Sequence, residues 1–170
     1  MDTDFLLVQK IHMGDEKAVE TLVSKYYPKI LNYCHMRIQD YGYAEDMTQE
    51  TFVRFFRTLP QYRLYGKVSN YLYAIAANAC NDYYRKRREI PLDTLPEKAD
   101  AQAENPDRRL DIHIALERMP EDIKQVAVLF FLQEQKQKDI ARILGISLPL
   151  VKYRIRKARE AFLTYFQDEP

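Results

Sequence analysis

The chain has 170 residues, 46% of them hydrophobic and 30% charged, with a net charge of +1; this suits one ordinary domain or two small ones and argues against wholesale disorder. No apolar run approaches the roughly 20 residues that a bilayer span needs, and the acidic opening Met1-Asp2-Thr3-Asp4 lacks the basic start of a secretory signal. Cys34 and Cys80 have neither metal nor redox spacing, so a protein of the reduced cytoplasm, not itself membrane-inserted, is expected.

The four glycines, set against plentiful Leu, Ala, Arg, Lys, Glu and Gln, favour helix over sheet. Residues 4–12 form a short amphipathic segment. From Ala18 the apolar positions Val19, Leu22, Val23, Tyr26, Ile30, Tyr33 or Cys34, and Ile38 keep a helical period. Pro28 lies inside that pattern and predicts a kink or helix boundary, and Gly42 predicts a break. The next helix runs from about Tyr43 to Leu59, with Met47, Thr51, Phe52, Phe55 and Leu59 on one side. Residues 60–68 carry Pro and Gly punctuation and read as a loop. Ser69 is placed to cap a helix that turns Leu72, Ile75, Ala76, Ala79 and Tyr83 inward and ends in a basic run. Residues 1–90 thus form a helical bundle.

Residues 91–106 contain Pro91, Pro96 and Pro106 and few apolar side chains, the composition of a flexible linker. Helices follow near 107–118, 121–133, 136–144 and 148–166, making a second small domain over 107–170 whose core is the apolar run 126–132. Pro120 suits a first helical turn. The expected fold is all-α, two small helical domains joined by an acidic, Pro-containing linker.

The small net charge conceals a segregation. Residues 136–159 hold eight basic residues and one acid, Asp139, and residues 83–88 read Tyr-Tyr-Arg-Lys-Arg-Arg. Between these blocks, residues 89–107 hold six acids and one base, Lys98.

The spacing Ala141, Gly145, Val151 is that of a helix-turn-helix. A small residue lets the second helix approach, glycine takes the left-handed turn, and an apolar residue anchors the second helix. Ile140, Leu144 and Ile146 complete the buried side, and Ser147 stands at the N-cap. Val151, Ile155, Ala158 and Phe162 then form one stripe, leaving Lys152, Tyr153, Arg156 and Lys157 facing outward for a major groove or phosphates. The plainer alternative is an amphipathic hairpin with solvated charges; the basic excess favours DNA.

Asp46, Gln49 and Glu50 share a helical face opposite the core and could dock a basic partner. No nucleophile or metal set accompanies these carboxylates, so catalysis is not expected. Tyr62, Tyr65, Tyr71 and Tyr73 are interleaved with Arg63, Lys67, Asn70 and Asn78, and the helix ends in Arg85-Lys86-Arg87-Arg88. Rings beside basic and amide groups suit unstacked bases and their phosphates, whereas core packing explains any single tyrosine equally well. His12, His35 and His113 are far apart in sequence, and Cys34-His35 alone cannot close a zinc site, so no metal is expected.

Three ordered motifs resemble those of the extracytoplasmic-function (group 4) sigma factors of bacterial RNA polymerase. Asp46-x-x-Gln49-Glu50-Thr51-Phe52 resembles region 2.2. Ser69-x-Tyr71-Leu72-x-x-Ile75-Ala76-x-Asn78-x-x-x-Asp82-x-x-Arg85 resembles region 2.3–2.4. Met119-Pro120, Asp139-Ile140-Ala141-x-x-Leu144-Gly145-Ile146-Ser147 and Val151-Lys152-x-Arg154-x-x-Lys157-Ala158-Arg159 resemble region 4. The resemblance implies that Asp46, Gln49 and Glu50 meet the polymerase β′ clamp helices. It implies that Tyr62, Arg63, Tyr65, Lys67, Asn70, Tyr71, Asn78, Arg85 and Arg88 serve the −10 strand, the 60–68 loop with Asn78 capturing a flipped base. Lys152, Tyr153, Arg156 and Lys157 would lie over the −35 element. It further implies docking of region 4 on the β flap, a restraining anti-sigma partner, promoter DNA as ligand, and no cofactor or small-molecule substrate. The sequence departs from the pattern at Tyr71, where tryptophan is common, at Asp139 and Lys124, where glutamate and arginine are usual, and at Leu148-Pro149-Leu150. Those leucines remove expected phosphate-contacting groups.

Two other readings compete. A conventional helix-turn-helix regulator accounts for residues 137–159 but not for the tyrosine-rich loop and basic helix end. A recombinase needs a nucleophile beside clustered arginines, and Ser24 and Ser69 have no such cluster in the sequence.

Overall fold

The computed structural model describes residues 3–61, 66–89 and 106–167, and all regular structure among them is helical. Four helices form the N-terminal half: α1 (Thr3–His12), α2 (Glu16–Arg37), α3 (Tyr41–Thr58) and α4 (Val68–Glu89). The C-terminal half has α5 (Pro106–Glu117), α6 (Glu121–Ala127), α7 (Gln137–Leu144) and α8 (Leu148–Gln167). The linker proposed for 91–106 lies outside the described residues except for Pro106.

Asp15 begins α2 as its carboxylate accepts the N–H groups of Lys17 and Ala18 at 3.0 and 3.3 Å. Leu22, Tyr26, Ile30, Tyr33 and Cys34 are buried along this helix. Of the kink or boundary expected at Pro28, the boundary does not occur: Pro28 lies within one 22-residue helix. Pro28 and Ser24, whose carbonyl it frees, are both exposed. Water can donate to that carbonyl, while the buried stripe outweighs the ~3 kcal/mol penalty of an interior proline.

The break expected at Gly42 instead falls at Ile38–Asp40. Ile38 leaves the helix in an extended conformation, and Asp40 caps α3 by accepting Tyr43 N–H at 3.2 Å. Gly42 lies in the first turn of α3, where its helix-breaking tendency is offset by the cap. Ser69 does not cap α4: the helix already includes Val68, whose side chain is buried as a first-turn anchor. Pro120 likewise stands one residue earlier than expected, at the N-cap of α6, and its carbonyl accepts Lys124 N–H at 2.9 Å.

Val126, Ala127, Val128 and Leu129 are fully buried at the centre of the C-terminal half. The chain widens there into a π-helical turn, Val128–Leu132, closed by Gln133 N–H on the Val128 carbonyl at 3.0 Å. Helix α7 packs against α4, and the π turn against α2, so one continuous core runs through both halves.

Candidate nucleic-acid interfaces

The helix-turn-helix follows from local chemistry. Gly145 ends α7 with φ 66° and ψ 35°, a left-handed conformation, and donates its N–H to the Ala141 carbonyl. Ser147 then caps α8 by accepting Leu150 N–H at 3.3 Å. Ile140, Ile143, Val151, Ile155 and Ala158 are buried between the helices and their neighbours, with half-buried Ala141, Leu144, Ile146 and Phe162 completing the packing.

Burying that stripe leaves Lys152, Tyr153, Arg156 and Lys157 exposed together on α8. The Arg156 guanidinium lies 5.4 Å and Lys157 Nζ 5.7 Å from the Tyr153 ring centroid, so the ring gathers both cations onto one surface. Arg154 points elsewhere, towards Asp122 at 3.8 Å. Pro149 is exposed in the first helical turn, flanked by half-buried Leu148 and Leu150.

The tyrosine- and amide-rich group divides. Tyr62, Arg63 and Tyr65 lie outside the described residues, as does the side chain of Arg88. Tyr71 is half-buried, its hydroxyl 2.6 Å from Thr58 Oγ1 and its ring centroid 5.8 Å from that of Phe55. Tyr73 is a core residue whose hydroxyl donates to Gln133 Oε1 at 2.8 Å. Burial pushes its phenol pKa up to about 12. Asn78 is exposed, and Arg85 pairs with Asp82 at 3.2 Å.

Lys67 and Asn70 converge where sequence spacing gave no sign. Both meet the carboxylate of Asp139 on α7: Lys67 Nζ donates to Oδ2 and Asn70 Nδ2 to Oδ1, each at 3.0 Å. Burial would raise the Asp139 pKa, but the hydrogen bonds from Asn70 and Lys67 outweigh it and hold the carboxyl below its usual value.

On α3, Asp46 and Gln49 are exposed and Glu50 is half-buried. The sequence reading overlooked Val53, which is 49% exposed and extends the same face by one turn. It also overlooked Arg54, which joins Glu50 at 3.0 Å to Asp82 at 3.3 Å. The Glu50–Arg54 pair has i,i+4 spacing and was legible; the link to α4 was not.

The fold brings the rings of His35 and His113 to a centroid separation of 5.0 Å despite their distance in sequence. No group of three potential His, Cys, Asp or Glu ligands occurs among the described residues. Cys34 and Cys80 are both buried and hydrogen-bonded to each other, which raises the first thiol's pKa and lowers the second's. Among the described residues no helix is long and apolar enough to cross a membrane.

Residues 22–90 match the family model of Sigma-70 region 2, and residues 109–162 that of Sigma-70, region 4. The chain is 28% identical to the RNA polymerase sigma-H factor of Pseudomonas aeruginosa, over 94% of this chain and 92% of that protein. It is 30% identical to the ECF RNA polymerase sigma-E factor of Haemophilus influenzae, over 93% of this chain and 92% of that protein. In fold it is similar to CnrH in complex with the cytosolic domain of CnrY, with TM-score 0.78 and 22% identity over 99% of this chain and 100% of that chain. It is also similar to the sigma factor RpoE in complex with the anti-sigma factor NepR from Bartonella quintana, with TM-score 0.75 and 19% identity over 91% and 99%. With both family models matched in order and a relative similar over nearly its whole length, the chain belongs to the extracytoplasmic-function sigma factors of the sigma-70 family.

Proposed function

We propose that this protein binds core RNA polymerase as a group 4 sigma subunit and directs promoter-specific initiation, without catalysing a reaction itself. The observation that carries the reading is the α7–α8 helix-turn-helix with Lys152, Tyr153, Arg156 and Lys157 exposed on one face. That face supplies phosphate and base-edge contacts at the −35 duplex. Residues 107–170 form this module, residues 1–90 the polymerase-binding and −10 module, and 91–106 their linker.

In the second module, Lys67, Asn70, Tyr71, Asn78 and Arg85, with Tyr62, Arg63, Tyr65 and Arg88, engage the non-template −10 strand. Asp46, Gln49 and Glu50 meet the β′ clamp helices, and the C-terminal module also docks on the β flap. An anti-sigma factor is the proposed restraint, supported by the complex of the similarly folded RpoE with the anti-sigma factor NepR. The protein acts in the cytoplasm, where its polymerase is.

The test is transcription in vitro with core polymerase and a promoter library. Enrichment of a shared −35/−10 pair is expected. Failure to transcribe any promoter, or to co-purify with core polymerase, would favour a conventional helix-turn-helix regulator instead.

A further inference from the structure

The residues assigned above to the −10 strand lie partly at the junction between the halves. An ammonium and an amide N–H, each 3.0 Å from one carboxylate, are the donor types that hold a phosphodiester oxygen. Here the anion is Asp139, on α7 of the chain's own helix-turn-helix. Asn70 and Asp139 are 8% and 7% exposed, so solvent and ligands reach little of either.

Other polar contacts continue across the same junction. Tyr73 donates to Gln133 at 2.8 Å. Farther along, Arg37 pairs with Glu121 at 2.6 Å, Gln125 donates to Asn81 at 3.0 Å, and Lys124 to Tyr84 at 3.2 Å. Polar groups of this kind can return to water when two surfaces part, unlike a wholly apolar seam. The fit is also incomplete: Asn70 Oδ1 and Gln133 Nε2 are buried without a hydrogen-bond partner among the described residues. Buried unsatisfied groups oppose closure.

We propose that Asp139 is an internal competitor for promoter DNA: its carboxylate occupies the phosphate position between Lys67 and Asn70, and α7 thereby keeps the −10 site closed while the halves are docked. Arg37–Glu121 is the second clasp of this latch. The four exposed α8 residues lie outside it, as do Asn78 and Arg85, so closure withholds the Lys67–Asn70 part of the strand site and leaves the −35 face available. The inference rests on the −10 role proposed for Lys67 and Asn70.

The test uses the full chain with donor and acceptor dyes at Met13→Cys and Leu163→Cys, both at exposed positions. Energy transfer reports the separation of the halves, and anisotropy reports binding to a labelled, random-sequence single-stranded oligonucleotide. Asp139→Asn should strengthen that binding about tenfold, the scale of one charge-assisted hydrogen bond. Glu121→Gln, which leaves α7 intact, should lower energy transfer and strengthen binding in the same direction. Unchanged transfer and unchanged affinity in both folded variants overturn the latch. Lys67→Ala in the Asp139→Asn background separates the two claims. Weaker binding there supports the −10 role whatever the latch does; no effect removes that role and with it the competition.

Discussion

Arg37 has 0% exposure, and hydrogen bonds at all three of its guanidinium nitrogens hold the charge there. Nη1 donates to Tyr33 Oη at 2.8 Å, Nη2 to Asn81 Oδ1 at 2.8 Å, and Nη2 to Glu121 at 2.6 Å. Burial opposes the cation, but Tyr33, Cys80 and Glu121 outweigh it and hold the guanidinium pKa above its usual value. Arg37→Ala should therefore destabilise the protein by about 3 kcal/mol, the lower end for breaking a buried pair. The lower end applies because the Glu121 side chain is 31% exposed and stays partly solvated when orphaned. Denaturant midpoints at fixed slope measure this; a loss under ~1 kcal/mol would reduce the network to the rank of a surface pair. The tyrosines make a second residue-scale prediction. Burial raises the phenol pKa of Tyr33, Tyr73 and Tyr84 above 10.0. The folded state therefore keeps protons that the unfolded state loses, so stability is intact below pH ~10 and declines above it. Denaturant midpoints should be flat to about pH 9 and fall from about pH 10 towards pH 12, with phenolate absorbance rising as the protein unfolds. A midpoint unchanged over that range contradicts the assignment.

At the scale of elements, α7 and α8 depend on one backbone conformation. A Cβ at Gly145 would meet nothing within 4 Å, so substitution is penalised by φ +66° alone and not by crowding. Gly145→Ala should cost about 1–2 kcal/mol, and Gly145→Asn distinctly less, since asparagine tolerates the left-handed region. Equal losses for the two in thermal unfolding would mean that something other than the turn is at stake. Helix α3 offers a contrasting case, a surface whose change should leave folding alone. Asp46→Ala with Gln49→Ala removes two exposed side chains; it should leave the melting temperature unchanged and weaken binding to core polymerase at least tenfold, about 1.4 kcal/mol. Unaltered affinity for core enzyme would take the docking role away from this face. These elements also show what was legible in the sequence. The turn at Gly145, the Ser147 cap and the stripe Val151, Ile155, Ala158 are local, so periodicity and turn chemistry reveal them. Gly42 and Ser69 misled, and Pro28 marks no boundary, because their propensities were outweighed by buried neighbours or a better cap nearby. The junction was illegible for another reason: Asn70 and Asp139 are 69 residues apart, and Arg37 and Glu121 are 84 apart. No helical period spans such separations.

In the whole molecule, the two surfaces proposed for DNA differ at their centres, although Asn78 and Arg85 stay exposed at the edge of the first. On the N-terminal half, Lys67 is paired and Asn70 buried; on α8, Lys152, Arg156 and Lys157 are exposed beside Tyr153. The net charge of +1 adds no general attraction for a polyanion. Duplex binding by the isolated chain should therefore come from the α8 face and be weak. Three phosphate-neutralising cations give a slope of log affinity against log salt of about −3. Polymerase would strengthen the interaction by holding this face and an opened −10 site together, raising the effective concentration of each for its own DNA element. Anisotropy with a labelled promoter duplex across a salt series checks the slope, first with the isolated chain and then with the core complex. A flat salt dependence of the isolated chain removes α8 from the phosphates. A slope steeper than about −5 would show that cations beyond the three on α8, such as exposed Arg85 or Arg142, also meet phosphates. Lys152→Ala should make the slope shallower by about one, whereas Lys67→Ala should leave it unchanged in the isolated chain. That difference between two lysines of like charge would locate duplex contact on one surface of the closed molecule.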